Sequence, residues 1–136
     1  MPLSPRAKLG LWIGLILFVV VPWSNSQDHT HWSQVQWVPS VTSPRVALDA
    51  VLNVLIYVPF GYWFAQQTPP GRGRVWRAVM FAAALSLVTE WSQMYSHRRS
   101  PSMRDLLCNV LGAWWGAWRA MRGPDIGRGG GGSSPR

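Results

Sequence analysis

The chain has 136 residues, of which 48% are hydrophobic and only 13% charged, and its formal net charge is +8. The length leaves room for one domain, and the low charged fraction, about half that of a typical soluble domain, argues against a soluble globular protein. The basic residues flank apolar segments and do not line one polar face, so nucleic acid is excluded as the expected partner.

The first apolar segment covers about residues 9–23 and follows the basic residues Arg6 and Lys8. It is predicted to be a short membrane helix. A cleavable signal peptide is the alternative interpretation, because the segment is shorter than a typical span and is followed by the small residues Ser24 and Ser26.

Three further apolar segments are each close to spanning length and do not alternate as strands do. They predict helices over about residues 46–65, 75–95 and 103–121. The predicted fold is therefore all-α, an integral membrane bundle of four transmembrane helices, or three if the first segment is cleaved. Residues 1–8 would form a cytoplasmic N-terminus, and residues 122–136 a disordered Gly-rich tail.

The basic residues are divided unequally between the two sides of this bundle. One side holds nine: Arg6, Lys8, Arg72, Arg74, Arg77, Arg119, Arg122, Arg128 and Arg136. The other side holds four: Arg45, Arg98, Arg99 and Arg104. The positive-inside rule then predicts that both termini of this multi-pass protein lie in the cytoplasm.

Three of the apolar segments each contain two polar residues that are three or four positions apart, so the two lie on one helix face. The pairs are Asp49 and Asn53, Glu90 and Gln93, and Asp105 and Asn109. In the predicted topology all of these pairs fall in the outer third of the membrane, where they would form one site. Two arginines on the short connection before the last helix would clamp an anion there. The predicted ligand-binding residues are Asp49, Asn53, Glu90, Gln93, Arg98, Arg99, Asp105 and Asn109.

Glu90 is the candidate catalytic residue, because an ionisable side chain at membrane depth is costly and usually functional. A general acid or base is one interpretation. A buried structural ion pair with Arg98 or Arg99 is the other.

Five residues are predicted to have structural roles. Pro59 and Gly61 should kink the second membrane helix, so the carbonyl of Leu55 would need a donor other than the Pro59 nitrogen. Ser102 and Asp105 have the spacing of a capping box. Gly112 and Gly116 should allow another helix backbone to approach closely.

No metal site or cofactor is predicted. His29 and His31 could bind a metal ion, but no third ligand is indicated, so an ordinary loop is the preferred interpretation. Cys108 is the single cysteine, which excludes an intrachain disulfide.

The order and spacing of these residues resemble the VanZ-like family of small bacterial membrane proteins, named for a teicoplanin-resistance accessory protein. The resemblance rests on the pattern Glu90-x-x-Gln93, Arg99-x-x-Ser102-x-x-Asp105-x-x-x-Asn109-x-x-Gly112-x-x-x-Gly116. An earlier pattern, Asp49-x-x-x-Asn53-x-x-x-Tyr57-x-Pro59-x-Gly61, adds to it. Tyr57 departs from the family, in which an apolar aromatic residue is more usual at this position.

The resemblance implies a multi-pass protein of the bacterial cytoplasmic (inner) membrane that is linked to the cell envelope. By extrapolation, it also implies a contribution to glycopeptide (teicoplanin) tolerance. The first functional hypothesis is an outer-leaflet pocket that binds an envelope lipid, such as a cell-wall precursor, or an anionic group. The alternatives are an intramembrane enzyme that acts on a lipid head group through Glu90, and a structural membrane scaffold without a ligand. The lipid bilayer is the expected partner, and the pattern predicts no particular oligomeric state.

Overall fold

The computed structural model describes residues 3–21, 33, 35–71, 73–94 and 101–122. These ranges contain four helices, α1 (Pro5–Val20), α2 (Pro44–Gln67), α3 (Arg74–Gln93) and α4 (Met103–Arg122), and no strand beyond an isolated bridge. The prediction of an all-α fold with four helices is confirmed. His29, His31, Arg98, Arg99 and the predicted Gly-rich tail lie outside the described residues, apart from Arg122 at the end of α4.

The first two helices begin earlier than their apolar runs suggest, because each starts with a serine followed by a proline. The Ser4 hydroxyl accepts a hydrogen bond from the Ala7 nitrogen at 3.2 Å, and the Ser43 hydroxyl accepts one from the Val46 nitrogen at 3.4 Å. A proline at the first helical position loses no hydrogen bond, since that nitrogen has no helical acceptor. Local capping therefore adds residues to the start of both helices.

The ends of the helices meet in an up-and-down arrangement. The Gln67 side-chain nitrogen donates to the Pro5 carbonyl at 3.1 Å, which joins the end of α2 to the start of α1. Ala65, Ala78 and Ala117 form a buried cluster, which joins the end of α2 to the start of α3 and the end of α4. Helices α2 and α4 are therefore parallel to each other and antiparallel to α1 and α3.

Glycines bring the backbones of α2 and α4 into direct contact. A Cβ atom on Gly112 would collide with the Val54 carbonyl oxygen, one on Gly116 with the Val58 carbonyl oxygen, and one on Gly61 with the Ala113 backbone. No side chain fits between the helices at these positions. The face that the Gly112–Gly116 spacing predicts is therefore the face on which α4 contacts α2.

Helix α2 continues through Pro59 and receives a hydrogen bond from α1 near that point. The Trp12 indole nitrogen donates to the Ile56 carbonyl at 2.6 Å. Ile56 follows Leu55, whose carbonyl loses the Pro59 nitrogen as a donor. The tryptophan thus supplies a donor one residue along from the predicted position.

Helix α2 is the candidate membrane span by length and apolar composition among the described residues. Helix α1 has 16 residues, or about 24 Å at 1.5 Å per residue, whereas a hydrocarbon core is about 30 Å thick. Helices α3 and α4 have 20 residues each and contain polar side chains that lower their hydropathy. By length and composition, one of the four described helices qualifies as a span, so the prediction of four spans is not confirmed.

The bundle turns apolar side chains outward and encloses polar ones. Phe18 is 73% exposed and Val88 61%, and exposed leucines, valines and tryptophans continue around α2, α3 and α4. Ser86 and Thr89, by contrast, are at most 1% exposed. The outer surface is thus apolar, unlike that of a water-soluble helical bundle, and the interior contains polar groups beside its apolar clusters.

Candidate functional site

One face of α3 supplies most of the buried polar groups. Its buried residues are Ala78, Ala82, Ser86, Thr89, Glu90 and Gln93. Steps of three and four residues keep these side chains on one stripe. Small residues occupy the half of the stripe near the start of α3, and polar residues occupy the half near its end.

Glu90 joins α3 to the start of α4. Its carboxylate accepts a hydrogen bond at 2.7 Å from the backbone nitrogen of Ser102, and the Glu90 residue is only 9% exposed. The Ser102 carbonyl accepts the first helical hydrogen bonds, from the nitrogens of Asp105 and Leu106, so Ser102 occupies the N-cap position of α4. A carboxylate at this place is also stabilised by the positive end of the helix dipole.

The capping box predicted for Ser102 and Asp105 is replaced by two other interactions. Glu90, and not Asp105, accepts the Ser102 backbone N–H. The Asp105 carboxylate instead forms a salt bridge with Arg104, whose Nη2 lies 2.9 Å from Oδ1. The local spacing was compatible with a capping box, but the Glu90 carboxylate of α3 accepts the hydrogen bond from the Ser102 backbone N–H.

A second polar contact between α3 and α4 lies one turn below Glu90. The Asn109 side-chain nitrogen donates to the Ser86 hydroxyl at 2.8 Å, and both residues are buried. The Tyr57 hydroxyl, from α2, faces Ser86, Thr89 and Glu90. Within the described part of the chain, the Asn109 carbonyl oxygen has no hydrogen-bond partner.

An extended segment (residues 35–40) covers the start of α4. The Gln36 nitrogen donates to the Pro101 carbonyl at 2.9 Å, and the Met103 nitrogen donates to the Gln36 carbonyl at 3.0 Å. The Arg104 guanidinium donates to the Ser40 carbonyl at 3.1 Å. The extended segment is thereby attached to the residues on either side of Ser102, which donates its backbone N–H to Glu90.

The predicted ligand-binding residues do not all meet. Glu90, Gln93 and Asn109 lie in the buried contact between α3 and α4. Asp49 is exposed in the second turn of α2, and Asn53 is half-buried. Asp105 pairs with Arg104 at the edge of the contact, and Arg98 and Arg99 fall outside the described residues.

Three residues of this polar interior were not predicted as site residues: Tyr57, Ser86 and Thr89. Ser86 lies four residues before Glu90, and this spacing was the available signal. Small hydroxyl residues are common in apolar helices, where they bond their own backbone, as Thr89 does with the Ser86 carbonyl at 2.8 Å. Their presence on the polar stripe therefore becomes evident only in the packed bundle.

A cleft opens beside the Glu90–Ser102 contact. Its volume is about 180 Å³, and α3, the start of α4 and the extended segment form its walls. Glu90 and Ser102 are its polar lining residues, and the others are apolar: Val35, Trp37, Leu87, Trp91, Met94, Pro101, Met103 and Leu106. The cleft therefore borders the polar contact, and both Glu90 and Ser102 remain buried at its wall.

No group of three or more His, Cys, Asp or Glu side chains that could hold a metal ion occurs among the residues that the structure describes. The described polar side chains of the site are a carboxylate, two amides and several hydroxyl groups. Such groups can bind a polar head group through hydrogen bonds, and a carboxylate can also move a proton.

The chain was compared with known proteins. The family model for VanZ/LLP1 matches residues 7–122, which include all four helices from the third residue of α1 onward. Comparisons with curated proteins and with solved structures gave no match. The matched range contains Glu90, Ser102 and the glycine contact between α2 and α4, and the chain belongs to the VanZ/LLP1 family.

Proposed function

We propose that the chain is a multi-pass protein of the bacterial inner membrane, and that its polar interior binds the head group of an envelope lipid or another anionic group. The observation that carries this proposal is an apolar outer surface around an interior that contains buried polar groups. Ser86, Thr89 and Glu90 are buried while Phe18 and Val88 are exposed. Water would disfavour this arrangement, whereas a bilayer favours it, because lipid chains cover apolar side chains and polar groups are satisfied inside the bundle.

The positions of the basic residues support an orientation with both termini in the cytoplasm. The described basic residues at the end where α2 finishes are Arg6, Lys8, Arg74, Arg77, Arg119 and Arg122. Arg45 and Arg104 lie at the opposite end, which also carries Glu90 and the cleft. The positive-inside rule then puts the cleft on the outer side of the membrane.

Contacts of α1 support its retention as the first span. Ile16 is fully buried in a cluster with Tyr57 and Phe60 of α2, and Trp12 donates its hydrogen bond to Ile56. Removal of α1 as a signal peptide would expose this part of α2. We therefore propose that α1 stays in the mature protein, even though it is short for a span.

The cleft beside Glu90 supports binding of a ligand at the outer end. Glu90 and Ser102 line its wall. Arg98 and Arg99 belong to the connection 95–100, between Met94 and Pro101, two residues that line the cleft. Their guanidinium groups are the proposed clamp for a phosphate or carboxylate, since the planar fork of arginine suits bidentate recognition of these groups.

Native mass spectrometry of the protein in detergent, with defined lipids added, tests the proposal. The lipids are phosphatidylglycerol and undecaprenyl phosphate, each compared with phosphatidylcholine. We expect the wild type to retain at least one anionic lipid in preference to phosphatidylcholine, and Arg99→Lys to weaken that preference. Arg45→Lys is the matched control, because Arg45 is exposed at the same end of the bundle. Equal retention of all three lipids by the folded wild type would reject the proposal.

A structural scaffold is the second candidate, and the Glu90–Ser102 hydrogen bond favours it, because this bond within the chain joins α3 to the start of α4. Glu90→Gln keeps an oxygen that can accept the Ser102 N–H, whereas Glu90→Ala removes it. A scaffold requires the acceptor and not the charge, so Glu90→Gln would retain cellular function and Glu90→Ala would lose it together with thermal stability. Loss of function in a stable Glu90→Gln variant would instead favour a site that needs the charge.

An enzyme that acts on a lipid head group is a further alternative, and it requires that the protein convert the lipid into a product. Glu90 would serve as general acid or base, which glutamine cannot do. Incubation of the wild type with the two anionic lipids, followed by mass analysis of the lipids, detects a product. A product formed by the wild type and absent with Glu90→Gln would favour this alternative over simple binding.

The contribution to teicoplanin tolerance is also part of the proposal, and the family membership motivates it. Expression of the wild type in a susceptible host should raise the minimal inhibitory concentration of teicoplanin. Glu90→Gln expressed to the same level should raise it less. An unchanged value with the wild type would remove this part of the proposal and leave the membrane architecture untouched.

A further inference from the structure

The cleft beside Glu90 is lined mainly by apolar side chains, which a small soluble anion would not contact favourably. It holds about 180 Å³, and Glu90 and Ser102 supply its polar side while apolar residues form the other walls. Leu87 and Trp91 are 56% and 58% exposed at its mouth. The cleft is thus continuous with the apolar outer face of α3, and it has a polar end and an apolar body.

The cover of the cleft is held in place by backbone hydrogen bonds. Gln36 pairs with Pro101 and Met103, so the residues on either side of Gln36 have their orientation fixed. Side chains alternate in an extended segment, and both Val35 and Trp37 therefore point to the side opposite that of Gln36. Both residues line the cleft. The apolar cover that Val35 and Trp37 form is therefore held in place by the hydrogen bonds of Gln36.

We propose that the cleft binds one acyl chain of the lipid whose head group is held beside Glu90 and Ser102. This inference rests on the proposed function and narrows its ligand to an amphiphile, since a free anion would leave the apolar walls uncovered. The occupant follows from the surroundings of the cleft. Its mouth opens on side chains that lie against lipid in the proposed membrane arrangement, so acyl chains are the apolar groups already present there.

A second cleft provides an internal comparison. It lies between α1 and α3, has a volume of about 330 Å³, and is lined by Ile13, Leu17, Phe81, Ala84, Leu85 and Val88. All of these residues are apolar, so nothing in this cleft can hold a head group. We expect acyl chains to exchange freely there and to be retained beside Glu90, although the second cleft is larger.

Photocrosslinking in nanodiscs tests the inference. The probe is phosphatidylglycerol with a diazirine on one acyl chain close to the glycerol ester, diluted into unlabelled phosphatidylcholine, and the crosslinked residues are mapped by mass spectrometry. We expect saturable labelling of the Glu90 cleft and non-saturable labelling of the cleft between α1 and α3. Leu106→Trp fills the first cleft and should reduce its labelling severalfold. Ala84→Trp fills the second cleft and should leave the first unchanged.

The outcomes separate this inference from the proposed function. Unchanged saturable labelling in Leu106→Trp, or equal saturability of the two clefts, would overturn the acyl-chain site. If Leu106→Trp fails to fold, Val35→Trp fills the same cleft from outside the helices and replaces it in the test. A preference for anionic lipids without saturable chain labelling would sustain the proposed function and reject the inference. Loss of the preference itself would reject the proposed function.

Discussion

The contact between Ser86 and Asn109 shows how single polar residues bind two helices in this fold. Asn109 donates from α4 and Ser86 accepts on α3 at 2.8 Å, both in the buried interior. Removal of Ser86 alone leaves a buried amide donor without its acceptor, which costs more than the net value of the bond. The two residues should therefore depend on each other.

A double-mutant cycle of Ser86→Ala and Asn109→Leu measures this dependence. We expect each single variant to destabilise the protein and the double variant to lose less than the sum. The coupling should be about 1 kcal/mol, as for hydrogen bonds between membrane helices. Unfolding by sodium dodecyl sulfate in mixed micelles gives the free energies. Strict additivity would show that the bond makes no net contribution, and Ser92→Ala with Asn109→Leu is a control pair.

Trp12 is the residue through which α1 supports α2 beside Pro59. Its indole nitrogen donates to the Ile56 carbonyl at 2.6 Å, and its ring contacts Trp63 edge-on at 5.5 Å between centroids. Trp12→Phe keeps an aromatic ring and removes the donor. We expect a loss of about 1 kcal/mol in the free energy of unfolding, the usual net value of one hydrogen bond.

The exposed Trp76 provides the control for this prediction, since it is 66% exposed. Trp76→Phe should leave the thermal midpoint in detergent close to that of the wild type. Equal effects of the two substitutions would mean that the Trp12 hydrogen bond does not stabilise the bundle.

At the scale of the elements, the pairing of α2 with α4 depends on the absence of side chains at three glycines. A Cβ on Gly116 would meet the Val58 carbonyl, and one on Gly112 the Val54 carbonyl. A backbone atom cannot rotate away as a side chain can, so the helices would have to separate. Overpacking of this kind typically costs about 1–3 kcal/mol or more.

Glycine-to-alanine substitutions therefore test the pairing with a matched control inside the same protein. We expect Gly112→Ala and Gly116→Ala each to lower the thermal midpoint in detergent. Gly10→Ala and Gly14→Ala in α1 meet no atom within 4 Å, and should be neutral or stabilising, because alanine favours a helix by about 1 kcal/mol over glycine. A similar effect at all four positions would contradict close backbone packing of α2 on α4.

The sequence predicted the elements and the glycine face well, because these depend on local composition and spacing. It predicted the position of Asp49 less well, because spacing shows which residues share a helix face but not how far along the helix that face is packed. The buried residues of α2 begin at Tyr57, two turns after Asp49, and Asp49 is exposed.

The hydrogen bond from the Ser102 nitrogen to Glu90 could not be predicted from the sequence, for a different reason. The Ser102-x-x-Asp105 spacing satisfies the local rule for a capping box equally well. Only the packing of α3 against the start of α4 brings the Glu90 carboxylate to the Ser102 nitrogen. Contacts between elements that are distant in sequence depend on this packing, whereas caps, helices and glycine stripes can be read locally.

At the scale of the whole molecule, the polar interior, the apolar surface and the unequal charge at the two ends have one common explanation in a membrane. The end with Arg6, Arg77 and Arg119 would face the cytoplasm, and the end with the Glu90 cleft would face outward. Single cysteines introduced into a Cys108→Ala background can distinguish the two sides. Thr42 and Gly73 are suitable positions, since both are exposed and lie at opposite ends of α2.

We expect a membrane-impermeant maleimide to label Thr42→Cys in intact spheroplasts and to label Gly73→Cys only after lysis. The physical reason is the cost of moving the basic end across the membrane during insertion, which the positive-inside rule summarises. Labelling of both cysteines after lysis confirms that each is reactive. The reverse pattern would place the Glu90 cleft on the cytoplasmic side and exclude recognition of an outer-leaflet head group. Labelling of both cysteines in intact spheroplasts would mean that α2 does not span the membrane.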